Sequence, residues 1–105
     1  MKGNNISTSN SQGGELSVIV KKIHSLSRKQ VEQIAKLAIE AIAISNSLPD
    51  TCEYISTTLN ARKNNLRWIC MASTDSNMCG YLYKCEGYTQ FTVGNYYFLV
   101  ASTSI

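Results

Sequence analysis

The sequence predicts an α+β domain in which two helices pack on one face of an antiparallel sheet. Three observations carry this prediction. Helical periodicity is confined to about residues 27–62, period-two alternation runs from Leu66 to the C-terminus, and a β-branched segment precedes the first helix. At 105 residues the chain supplies one domain with a single two-layer core. Apolar residues make up 44% and charged residues 16%, the composition of a folded domain poor in charge and rich in Ser, Thr and Asn.

Taken in order, residues 1–15 are Ser, Asn, Gly and Gln with little to bury, so a disordered tail is expected there and a folded domain over residues 16–105. "LSVIVKKI", Leu16 to Ile23, is β-branched and reads as an edge strand whose Lys21 and Lys22 reach solvent. Ser27 and Gln30 have the spacing of a capping box. Val31, Ile34, Ala35, Ala38, Ala41 and Ile42 then recur at helical intervals to about Ile44, with Leu37, Ile39 and Ile44 widening the apolar stripe. In "SNSLPD", Asn46 or Ser47 caps a second helix, Pro49 suits its first turn, and Asp50 and Glu53 complement its dipole. Cys52, Ile55 and Leu59 form its buried stripe, and Asn64 and Asn65 stand where a left-handed stop belongs.

"LRWICMA" places Leu66, Trp68, Cys70 and Ala72 on one face of a strand, "CGYLYKC" forms another, and "FTVGNYYFLV" is a hairpin turning at Gly94-Asn95. The hairpin is apolar on both faces: Tyr96, Phe98 and Val100 alternate with Tyr97, Leu99 and Ala101. Two helices cover one face only. With Trp68, Tyr81 or Leu82, Tyr88 and Phe91, the other face becomes an aromatic-rich surface that calls for a partner, most simply a second copy.

Catalytic and metal chemistry find little support. The lone His24 has no patterned nucleophile, and the cysteines lack the paired C-x-x-C spacing of a zinc site and read as thiols. A net charge of +3 without a dense basic run does not point to nucleic acid; an RNA-stacking platform built on "YLY" and "YYF" would want Lys and Arg beside the aromatics, and Lys84 alone follows Arg67. No apolar run is long enough for a membrane span, and the N-terminus lacks a secretory core, so an intracellular protein without cofactor is expected.

The order of elements, the Trp68-Ile69-Cys70 "W-x-C" strand and the Gly94 hairpin resemble the small dimeric hub-class dynein light chains over about Val18 to Ala101. The Tctex type is the alternative within dynein light chains, and a non-dynein interaction hub the alternative outside them. The resemblance implies a non-catalytic protein that dimerises by strand exchange. Met78, Cys79, Gly80, Tyr81, Leu82, Tyr83 and Lys84 would cross to the partner, and Trp68, Tyr88, Gln90, Thr92, Tyr97 and Leu99 would floor the client groove. Clients would add as a β-strand. Implied partners are a second copy or a related light chain and a dynein intermediate chain, in the cytoplasm and cytoskeleton, the ciliary axoneme included.

The sequence departs from that family at three places. Met78-Cys79-Gly80 stands for a Phe-Gly-Ser run, the charged pair opening the second helix falls near Leu48-Pro49, and the histidine of the W-x-C strand is Ile69. These departures imply a specialised member serving one fixed segment.

Overall fold

A computed structural model describes residues 4–9, 15–62, 66–75 and 85–104. The elements run β1 (Asn4–Ser9), β2 (Glu15–His24), α1 (Arg28–Ile44), α2 (Leu48–Asn60), β3 (Leu66–Ser73), β4 (Gly87–Val93) and β5 (Tyr96–Ser104). The predicted α+β class holds: the strands form one antiparallel sheet in the order β1-β2-β4-β5-β3, with both helices on one face. The predicted strand over residues 79–85 lies largely outside the described residues, as do Asn64 and Asn65.

Local chemistry accounts for the helix ends. Ser27 Oγ accepts from the Gln30 N–H at 3.1 Å while Gln30 Oε1 accepts from the Ser27 N–H at 2.9 Å, the predicted capping box. Ser47, of the two candidates, caps α2 by accepting from the Asp50 N–H, with Pro49 in the first turn. Ile34, Ala35 and Ala38 of α1 and Ile55 and Leu59 of α2 are buried against Val18, Val20, Phe91, Val93, Phe98 and Val100 of the sheet. Phe91 and Phe98, cross-strand partners in the hairpin, stack with centroids 5.3 Å apart inside this core.

Four expectations need correction. Asn4–Ser9 is not a tail but an edge strand paired antiparallel to β2, because its main chain pairs whatever its polar composition. β2 is consequently an inner strand, flanked by β1 and β4, although Lys21 and Lys22 are exposed as expected. Ile44 does not extend the buried stripe; it is 61% exposed at the end of α1, beyond the reach of the sheet. Phe91 belongs to the helix-covered core rather than to the other face.

Two details fix strand positions. A bulge between Val20 and Lys22 shifts the β2–β4 register, and the fully buried Thr89 hydroxyl donates to the Lys22 carbonyl at 3.0 Å. The Asn60 side chain, at the end of α2, behaves like a short strand: its Oδ1 accepts from the Trp68 N–H at 2.7 Å and its Nδ2 donates to the Trp68 carbonyl at 3.1 Å.

Asn60→Ala removes both bonds and should lower unfolding free energy by about 2 kcal/mol in urea denaturation. Gly87→Ala should also destabilise the fold, since a Cβ there meets the His24 carbonyl at 2.9 Å and the Ser25 carbonyl at 3.0 Å, backbone atoms that a rotamer change does not relieve. A loss of at least about 1 kcal/mol is expected from the same measurement.

Candidate functional site

The sheet face away from the helices is the candidate site. Alternation along β2, β3, β4 and β5 sends every second residue there, and the strand registers arrange those residues in rows. One row joins Ile19, Thr92 and Tyr97; the next joins Lys22, Gln90, Leu99 and Met71; the third joins His24, Tyr88, Ala101 and Ile69. Leu99 and Ala101, in the central strand, are each 1% exposed, whereas Ile19, Ile69 and Met71 are 41%, 39% and 39% exposed. The exposed large hydrophobics of this face therefore flank a dry centre.

Five of the six predicted groove residues meet here. Tyr88, Gln90, Thr92, Tyr97 and Leu99 share the face, held by the β4–β5 ladder. Trp68 does not. It pairs with Ser102, is 4% exposed and belongs to the core beneath the helices. Since Trp68 and Cys70 point to the helices, Ile69 and Met71 are the β3 residues on the opposite face. The predicted crossing residues Met78, Cys79, Gly80, Tyr81, Leu82, Tyr83 and Lys84 lie outside the described residues.

At one end of the face, polar groups gather around Tyr88. His24 is exposed and stacks on the Tyr88 ring at 5.3 Å, and Lys22 Nζ lies 5.8 Å from the same ring centroid. His24 thus has an aromatic neighbour in Tyr88. On the helix side, Cys52 of α2 faces Cys70 of β3. The Cys70 thiol donates a hydrogen bond to the Cys52 sulfur, which holds Cys52 below the ordinary thiol value, while that same bond and burial push Cys70 far above it. Among the described residues, no group of three or more His, Cys, Asp or Glu side chains is arranged to hold a metal ion, and no helix is long and apolar enough to cross a membrane.

No protein-family model matches this chain, and no curated protein matches it. The site is therefore defined by its own geometry.

The paired thiols give a pH-dependent outcome. A hydrogen bond to the thiolate favours deprotonation of Cys52, so alkylation of Cys52 should begin at lower pH than for an unperturbed thiol, with Cys70 resistant throughout the neutral range. Cys70→Ala should move the Cys52 profile to higher pH. Peptide mass mapping after timed iodoacetamide exposure checks both.

Proposed function

We propose that this chain is a non-catalytic assembly protein of the dynein light-chain type, which dimerises by exchanging the strand between β3 and β4 and binds an extended partner segment by strand addition. The observation that carries the proposal is the apolar sheet face opposite the helices, ending at β3 with Ile69 and Met71 exposed. Leu99 and Ala101 are already buried in the single chain, so the surface left for a partner is the exposed aliphatic rim of Ile19, Ile69 and Met71.

The connection from β3 to β4 supports the same reading. Both strands run antiparallel to β5, which lies between them, so they are parallel to each other and the chain must travel back along the sheet. Ser73 pairs with Tyr97 and Gly87 with Ser102, so the return covers five positions of β5, roughly 20 Å once the two strand spacings are included. Residues 74–86, thirteen of them, reach roughly 43 Å when extended. That length exceeds the distance the connection has to span, as an exchange between subunits would require, and it leaves the β3 edge beyond the Asn60-held Trp68 for pairing.

The bound segment would be unstructured before binding, and a dynein intermediate-chain segment is the partner that the family resemblance suggests. Main-chain pairing would supply affinity and alternate side chains selectivity. The partner subunit would be an identical chain or a related light chain. Ile69, where that family has histidine, would remove protonation of that position from control of the dimer.

Size-exclusion chromatography with light scattering tests the proposal. The wild-type chain should elute at twice its monomer mass at micromolar concentration, and Ile69→Glu with Met71→Glu should return the monomer, raising the dimer dissociation constant at least about a hundredfold because two carboxylates would be buried without partners. These positions are exposed in the single chain, so the double variant should keep the wild-type circular dichroism spectrum. A wild-type chain that stays monomeric at high micromolar concentration, with no gain on adding a related light chain, refutes the proposal.

A further inference from the structure

A second site lies on the helix side of the sheet, away from the apolar face, and does not depend on the dimer. Gln30, Gln33 and Ile34 of α1, Leu59 and Arg62 at the end of α2, and Trp68 of β3 enclose a pocket of about 230 Å3. Ile34 and Leu59 are buried and give it an apolar wall. Its polar groups are of one kind. Gln30 Oε1 is taken by the Ser27 N–H and Gln33 Oε1 by Arg62 Nη1, so both amides are left with donors to offer.

Two features point to a ligand that accepts hydrogen bonds. Trp68 is 4% exposed, yet its indole Nε1–H has no acceptor among the described residues, and a buried donor of this kind is rare in a folded protein. Indole nitrogen carries only a donor, so the missing partner must be an acceptor. Arg62 supplies positive charge at the same pocket, its contact to Gln33 is long at 3.4 Å, and among the described residues no carboxylate lines the wall. Donors, one cation and an apolar wall together select an anion with an apolar body.

We propose that this pocket binds a small carboxylic acid with a compact apolar body, the carboxylate held by Arg62 and, on a small shift of the wall that now covers it, by the Trp68 indole N–H, with the body resting on Ile34 and Leu59. The volume is adequate: an apolar cavity of about 150 Å3 admits benzene, so this pocket has room for a ring of that size and a carboxylate. A guanidinium beside a neutral donor suits a carboxylate, which takes both through its two oxygens.

The chain has a single tryptophan, so one indole 1H–15N resonance reports on the pocket. Titration of the intact protein with sodium benzoate should shift that resonance saturably, whereas sodium chloride at matched ionic strength should not. Benzyl alcohol, which keeps the ring without the charge, and acetate, which keeps the charge without the ring, should each bind at least about tenfold more weakly. Arg62→Gln, at an exposed position, should weaken benzoate about tenfold with an unchanged circular dichroism spectrum, and Trp68→Phe should weaken it by calorimetry while keeping an aromatic ring in the core. An indole resonance that benzoate leaves unmoved, a shift that chloride reproduces, or wild-type affinity in a folded Arg62→Gln chain would each overturn the proposal.

Discussion

The fold depends on β5 being apolar on both sides. Phe98 and Val100 face the helices and Leu99 and Ala101 face the other way, and all four are buried. A strand with no polar side has to lie inside a sheet, so β4 and β3 must pair along its two edges. From that placement follow the parallel relation of β3 and β4 and the long return between them. The ion pair of Arg28 with Glu32 is a solvent-exposed pair within one helix and adds little to this arrangement.

The helices act on the sheet through two different kinds of contact. Apolar packing of Ile34, Ala38, Ile55 and Leu59 holds the layers together but is not directional. Direction comes from hydrogen bonds at the edges of the core, where Asn60 fixes β3 against α2 and Thr89 satisfies the bulge in β2. The thiol pair Cys52 and Cys70 lies along the same α2–β3 seam as Asn60. This seam is therefore the most specified junction between the two layers.

Much of this was legible in the sequence because it is local. Caps, helical periodicity and the Gly94 turn are set by residues three or four apart, and Gly94 does adopt a positive φ of 57°. The alternation of β5 also revealed the second apolar face. What was hidden concerns which strand neighbours which. β1 escaped notice because strand pairing by the main chain leaves little signature in a Ser-, Thr- and Asn-rich segment, and its presence turned β2 from an edge into an inner strand. Alternation groups Trp68 with Cys70 and Ala72 but does not say which side of the sheet they take; the register of β3 with β5 turns them to the helices. The pocket beside Trp68 had no sequence signal at all, since Gln33, Arg62 and the indole come together only through the packing of α1, α2 and β3.

The Asn60 amide recognises only the backbone of position 68, through one donor and one acceptor that every residue except proline possesses. Anchoring is thus indifferent to the identity of the side chain it anchors. A different side chain at position 68 would keep this backbone hold on β3 while changing the wall of the pocket, so anchoring and pocket chemistry rest on different atoms of one residue.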